Sequence, residues 1–120
     1  MFNLFKKKEV IPVLAVYEEY VSILNSINQY LVMSDNMAQS KFIERLLNLL
    51  KEKHVDEFIK LINGIDMWGG AGAVWEVYIE NKEEQKKFEK QMLSLIELMK
   101  KTDIMGSGIK SIEKIFRNHS

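Results

Sequence analysis

Apolar residues recur at intervals of three and four along most of this 120-residue chain, and this spacing limits the folds open to it. The interval is that of an α-helix, in which such side chains share one face. Pro12 suits a first helical turn, because the amide hydrogen that proline lacks has no helical partner there. Two neighbouring apolar stripes follow Pro12, so we expect this first helix to lie at the centre of the fold. The stripes are Val13, Val16, Tyr20, Ile23, Ile27 and Tyr30, and beside them Leu14, Tyr17, Val21, Leu24 and Leu31.

Four further helices are predicted from the same periodicity. Apolar positions within residues 42–50 mark a second helix, and those within 55–62 mark a short third one that ends at Asn63-Gly64 in a left-handed cap. Asn81 resembles an N-cap, since an acidic residue follows three positions later, and it would open a long helix. A last helix should follow the Gly106-Ser107-Gly108 stretch.

The fold class predicted from these elements is all-α, a compact bundle of about five helices with an irregular glycine-rich turn. A short extended segment is also allowed, because residues 74–80 fit either a strand or a single helical turn. At this length, residues 1–120 are expected to form a single domain. Residues 1–9 are interpreted as a flexible N-terminal tail, with weak docking on a membrane surface as the alternative, because the tail combines apolar residues with three lysines.

Composition and motifs point away from several classes of site. The chain has no cysteine and two isolated histidines, so no metal site is predicted, and neither a cofactor nor a catalytic set is expected. The 17 basic and 17 acidic side chains balance, so no field is available to attract nucleic acid. No apolar run reaches membrane-spanning length, which predicts no stable membrane insertion and, by default, a cytoplasmic location.

The segment from Asp66 to Glu80 is the unusual part of the chain, with both tryptophans and three of the six glycines. Its glycines do not match a dinucleotide fingerprint, because Trp75 occupies the third glycine position. Glycines can form an anion-binding turn, and tryptophans can wall a pocket or anchor a partner. The other interpretation is a tight structural turn with both indoles in the core. The candidate ligand- or partner-binding residues are Trp68, Gly69, Gly70, Gly72, Trp75 and Glu76.

The same segment resembles a family of small uncharacterised bacterial domains that carry a Gly-Gly-Met-Gly-Ser stretch followed by an acidic and an aliphatic position. Gly69-Gly70-Ala71-Gly72-Ala73 corresponds to the stretch, Glu76 to the acid and Tyr78-Ile79 to the end, with alanines replacing Met and Ser. The resemblance implies a bacterial origin and a mostly helical fold, and it implies no mechanism.

The function predicted from these observations is that of a non-enzymatic protein–protein interaction module, an immunity or adaptor protein whose partner is another protein. Its binding should depend on apolar anchors such as Trp75. One alternative is a small-ligand-binding or enzymatic domain that uses the glycine-rich turn at residues 69–72. The other is a homodimer that forms through the wide apolar face of the first helix.

Overall fold

The computed structural model describes residues 10–119 of the chain, so the predicted tail at residues 1–9 lies outside the described residues. Six α-helices occur in the described part, and five of them have eight residues or more. No strand occurs among residues 10–119, and the predicted all-α bundle is therefore confirmed. The helices are α1 (Tyr17–Met33), α2 (Met37–Lys51), α3 (Val55–Ile62), α4 (Ile65–Trp68), α5 (Lys82–Lys101) and α6 (Ile109–His119).

Two single turns of 3-10 helix complete the secondary structure. The first, Val13–Val16, leads directly into α1, and Pro12 lies just before it with extended backbone, φ −62° and ψ 146°, instead of within the first helical turn. The second, Val74–Glu76, lies in the unusual segment and is followed by extended backbone at residues 77–79. Residues 74–80 are therefore neither a paired strand nor an α-helix.

Helix α1 lies between α2 and α5, and its central position agrees with its wide apolar face. The side chains turned inward on α1 are fully buried and belong to one continuous core with those of the other helices. The inward part of the apolar face considered for homodimerisation is thus covered by the chain's own helices, and homodimerisation itself stays a prediction. The buried residues of α1 are Tyr20, Leu24, Ile27 and Leu31.

Tyr20 joins three helices at one end of this core. Its ring packs edge-on against Phe58 of α3 at a centroid distance of 5.4 Å. Its hydroxyl oxygen lies 2.6 Å from Oγ1 of Thr102, immediately after α5. Burial raises the pKa of the Tyr20 phenol to about 12, although the hydrogen bond with Thr102 acts in the opposite direction.

Three helices end in left-handed residues that are not glycine. Asp35, Lys53 and Asp103 have φ of 62°, 61° and 56° and follow α1, α2 and α5 respectively. In each case the next amide donates to a carbonyl five residues back, as Asn36 does to Leu31 at 2.8 Å, which is the Schellman arrangement.

The left-handed cap predicted at Asn63-Gly64 is wrong. Asn63 has φ −90° and Gly64 has φ −82°, so neither is left-handed. The Asn63 side chain instead bridges two distant loops. Its Nδ2 donates to the carbonyl of Ile104 at 2.7 Å, and its Oδ1 accepts from the amide of Gly106 at 2.7 Å. Asparagine is required here for its amide group and not for its backbone freedom.

Candidate functional site

Trp68 and Gly69 form the first part of the glycine–tryptophan segment, and both have structural roles. The Trp68 indole is buried, and its Nε1 donates to the carbonyl of Ile62 at 2.6 Å. A Cβ at position 69 would lie 2.6 Å from the carbonyl oxygen of Ile65, so only glycine fits at the end of α4. The sequence-based interpretation as a tight turn describes these two residues well.

Gly70 and Gly72 lie in the exposed turn that follows. The amide of Ala73 donates to the carbonyl of Gly70 at 3.0 Å, which closes the turn. Gly72 has φ 91°, a backbone conformation that favours glycine, and its carbonyl accepts from Nε2 of Gln39 on α2 at 2.9 Å. A Cβ at Gly70 or Gly72 would meet no atom within 4 Å. The turn is thus open to solvent and tied to α2 through one side chain.

Trp75 is held in place from two sides. Its Nε1 donates to the carbonyl of Gly69 at 2.7 Å, so the ring folds back over the turn. The same ring meets Phe116 of α6 edge-on at a centroid distance of 6.3 Å. The indole is half-buried and fixed, and its remaining surface is available for contact.

The extended residues after Trp75 alternate between the core and the solvent. Val77 and Ile79 are buried, and the amide of Ile79 donates to Oε1 of Gln85 at 2.6 Å. Tyr78, between them, is 75% exposed. An extended backbone places successive side chains on opposite faces, so burial of its neighbours fixes Tyr78 outward.

These residues border a depression of about 480 Å³ between the segment and helices α5 and α6, which we call the Trp75 depression. His119 lies on its border, with Nδ1 3.1 Å from Oε1 of Glu89. The Trp75 depression is lined by Trp75, Glu76, Val77, Tyr78, Gln85, Glu89, Ile115, Phe116 and His119.

The six candidate residues do not converge on one cavity. Trp75 and Glu76 line the Trp75 depression, whereas Trp68 and Gly69 line a separate hollow of about 230 Å³ beside Asn63 and the start of α6. Gly70 and Gly72 line neither of these two hollows. Tyr78, which the sequence reasoning did not select, is the most exposed aromatic side chain of this surface. Val77-Tyr78-Ile79 is apolar or aromatic throughout, so the sequence itself carried no signal that Tyr78 faces the solvent.

A larger concavity lies between α1 and α5, and sequence reasoning missed it. This α1–α5 groove has a volume of about 1010 Å³. Sequence reasoning missed it for two reasons. The lining residues of α1 and α5 are about 70 positions apart in the chain, and those on α1 include a polar strip that is typical of a solvent-exposed helix face. The α1–α5 groove is lined by Ile11, Glu18, Glu19, Ser22, Ile23, Lys90, Leu93, Ser94, Glu97, Leu98, Lys100, Lys101 and Arg117.

A charge cluster connects α5 to α6 beside this groove. Nζ of Lys100 lies 2.6 Å from Oε2 of Glu113, and Arg117 pairs with both Glu113 and Glu97. The Glu113 side chain is only 9% exposed. The hydrogen bond from Lys100 lowers the pKa of the Glu113 carboxyl, burial acts against it, and Arg117 adds to the lowering. The cluster fixes the position of α6.

Residues 10–119 contain no group of three or more histidine, aspartate or glutamate side chains placed to hold a metal ion. Within that same stretch, no helix combines the length and the apolar character needed to cross a membrane. Comparison of the chain with protein-family models, curated proteins and solved structures gave no match. The resemblance to the bacterial Gly-Gly-Met-Gly-Ser domains therefore stays a prediction.

Proposed function

We propose that this protein is a non-enzymatic interaction module that binds another protein through the Trp75 depression. The observation that carries the proposal is a pair of aromatic side chains on the border of one apolar hollow, the half-buried and fixed Trp75 and the exposed Tyr78. Tryptophan and tyrosine are the residues most enriched among those that dominate binding energy at protein interfaces. The immunity or adaptor role, bacterial origin and cytoplasmic location belong to this proposal.

The depression is suited to binding because its Trp75 anchor is ordered before a partner arrives and its Tyr78 anchor already faces the solvent. Trp75 is held by Gly69 and Phe116, and the outward position of Tyr78 is set by its buried neighbours. Binding to ordered side chains costs less conformational entropy than binding to mobile ones. Ile115 of α6, 41% exposed, extends the apolar surface on the opposite side of the hollow.

The charges around Tyr78 form a polar border. Glu76 and Glu80 are exposed two positions before and two positions after it on the same extended segment. Charged borders of this kind surround apolar anchors at interfaces and contribute less energy than the anchors do. Binding should therefore persist at moderate salt and depend mainly on the aromatic rings.

The test replaces Tyr78 with alanine. Because the ring is largely exposed, Tyr78→Ala should change the free energy of unfolding by no more than about 0.5 kcal/mol. It should weaken binding of the partner about tenfold or more, the usual effect of removing an anchor. Met33→Ala is the matched control, since Met33 is also an exposed apolar residue, 64% exposed, at the end of α1.

The partner is first captured from extracts of the source cell on immobilised wild-type protein. Its affinity for the wild type and for the two variants is then measured by calorimetry. Stoichiometric capture that Tyr78→Ala loses and Met33→Ala retains would support the proposal. The proposal fails if no stoichiometric partner is captured, or if Tyr78→Ala binds it as tightly as the wild type does.

A further inference from the structure

The Trp75 depression contains carboxylates that no basic side chain of the described residues pairs with. Its lining includes Glu76, Glu89 and His119, and neither a lysine nor an arginine. The Glu89 side chain is only 15% exposed, and within residues 10–119 its ion-pair contact is with His119, which is charged only when protonated. Glu76 is exposed and forms no ion pair with any described residue. With His119 in its neutral form, the depression therefore presents uncompensated negative charge.

The Glu89 carboxylate is held in place by hydrogen bonds from neutral groups. The amide of Ile79 donates to Oε1 of Gln85 at 2.6 Å, which leaves Nε2 of Gln85 to donate to Oε2 of Glu89 at 2.7 Å. Nδ1 of His119 lies 3.1 Å from the other oxygen, Oε1. A carboxylate has about four acceptor sites, so each oxygen of Glu89 can accept one further hydrogen bond. Glu89 is thus an oriented acceptor with capacity left for a pair of donors.

Two aromatic side chains with accessible surface line the same depression. Trp75 is half-buried and fixed by its hydrogen bond to Gly69, and Tyr78 is 75% exposed. Cations are attracted to the faces of aromatic rings, most strongly to tryptophan, and arginine is the cation found there more often than lysine. Ile115 of α6 adds apolar surface on which the methylene stem of a long side chain can pack. Carboxylates, aromatic rings and apolar surface together match a side chain that has an apolar stem and a cationic end.

Other side chains fit this depression less well. A leucine or phenylalanine beside Glu89 would remove water from the carboxylate without supplying a donor, and an unpaired buried charge is costly. An acidic side chain would be repelled by Glu76 and Glu89. The volume of about 480 Å³ admits one long side chain, since small-ligand pockets range from about 300 to 1,000 Å³. Lysine ends in a compact ammonium group, whereas the planar guanidinium of arginine can stack on a ring and bond both oxygens of a carboxylate.

We propose that the Trp75 depression receives an arginine side chain of the partner protein, with the guanidinium on the Trp75 ring and bonded to the Glu89 carboxylate. Tyr78 and Glu76 border this arginine on the side of the extended segment. The inference rests on the proposed function and adds to it the chemistry of the residue that the partner inserts.

The test uses a small probe in place of the partner. Nα-acetyl-arginine amide is titrated into isotope-labelled wild-type protein at about pH 7.5, where an ordinary histidine is mostly neutral. Nα-acetyl-citrulline amide is the matched probe, because it has nearly the same shape and carries a neutral urea group in place of the guanidinium. Binding is followed by NMR at the indole N–H of Trp75. The indole N–H of Trp68, which donates to the carbonyl of Ile62 away from the depression, is the internal control.

The arginine probe should shift the Trp75 resonance in a saturable way and bind about tenfold more tightly than the citrulline probe, while the Trp68 resonance stays in place. Equal affinity of the two probes, or no shift at Trp75, would overturn the proposal. Equally tight binding of Nα-acetyl-lysine amide would overturn the assignment of a guanidinium. These results would leave the proposed function standing, because the loss of a captured partner in Tyr78→Ala does not depend on which side chain that partner inserts.

Substitution of the carboxylates tests their part in the preference for arginine. Glu76→Gln combined with Glu89→Gln keeps the size of both side chains and should bring the affinities of the two probes within about twofold of each other. Glu80→Gln is the matched control and should retain the preference, since Glu80 is exposed on the same segment but does not line the depression. An unchanged preference in the double variant, or an equal loss in Glu80→Gln, would overturn the proposal. Circular dichroism checks that each variant is folded.

Discussion

Gly69→Ala and Gly70→Ala form a matched pair that tests the account of the glycine turn. The added Cβ at position 69 would lie 2.6 Å from the carbonyl oxygen of Ile65, about 0.8 Å closer than an ordinary contact allows. Relief requires movement of the backbone, which weakens either the last bond of α4, from the Gly69 amide to Ile65, or the bond that Gly69 accepts from Trp75. Overpacking of this kind costs about 1 to 3 kcal/mol, and a weakened hydrogen bond about 1 kcal/mol.

Gly70 lacks this constraint, because its Cβ would meet no atom within 4 Å and its backbone is not left-handed. Gly70→Ala should therefore be neutral, or stabilise the protein by about 0.4 to 1 kcal/mol through the unfolded state. Gly69→Ala should lower the free energy of unfolding by about 2 kcal/mol relative to the wild type. In a chain of this size that corresponds to a fall in Tm of roughly 8 °C.

The assay is urea unfolding followed by far-ultraviolet circular dichroism and by tryptophan fluorescence. For each variant, the two signals should give the same midpoint urea concentration. This midpoint should be lower for Gly69→Ala than for Gly70→Ala. If the two variants differ by less than about 0.5 kcal/mol, the close approach between Gly69 and Ile65 does not determine the structure of this turn. A structural role for Gly69 would then have no support, and the alternative that the glycine turn serves binding would stay open.

Three further predictions follow from the loops and the charge cluster. Asn63→Ala should lower the free energy of unfolding by about 2 kcal/mol in urea titrations, because it leaves the amide of Gly106 without its acceptor, and an unchanged value would contradict the bridge. Lys53→Gly should raise stability by about 0.5 kcal/mol in thermal unfolding, since relief of left-handed strain exceeds the added entropy of the unfolded chain, and a lower Tm would refute this. Folding lowers the pKa of the Glu113 carboxyl, so its ionised form stabilises the fold fully above the ordinary pKa of 4.5, and this stabilisation is lost as the pH falls through the lowered value. Glu113→Gln should therefore flatten this part of the dependence of the free energy of unfolding on pH, measured by urea titration at several pH values. An unaltered profile would disprove the role of Lys100.

Local sequence signals predicted a helix well where its apolar periodicity or its capping residue lies within the helix itself or next to it. The predicted third helix, 55–62, agrees with α3, and Asn81 caps α5 by accepting from the amide of Glu84 at 3.0 Å. Local signals were insufficient for the helix ends. Asp35, Lys53 and Asp103 adopt left-handed backbone without glycine, because the Schellman hydrogen bonds and the packing of the next helix outweigh the strain.

The candidate sites depended on contacts that no local pattern contains. The sequence selected Trp75, but the exposed Tyr78 became evident only when Val77 and Ile79 were seen to enter the core. The α1–α5 groove requires the packing of two helices whose contacting residues are far apart in the chain. Periodicity identifies the buried face of each helix and does not specify which partner covers it.

The central position of α1 also has a consequence for synthesis of the chain. Tyr20 receives its α5 partner only 78 residues later, at the carbonyl of Leu98. At ribosomal speeds of about 5 to 20 residues per second, one side of α1 stays without its cover for roughly 4 to 16 seconds. During that interval the nascent chain exposes apolar surface of α1. A chain terminated before α5 would therefore be prone to aggregate.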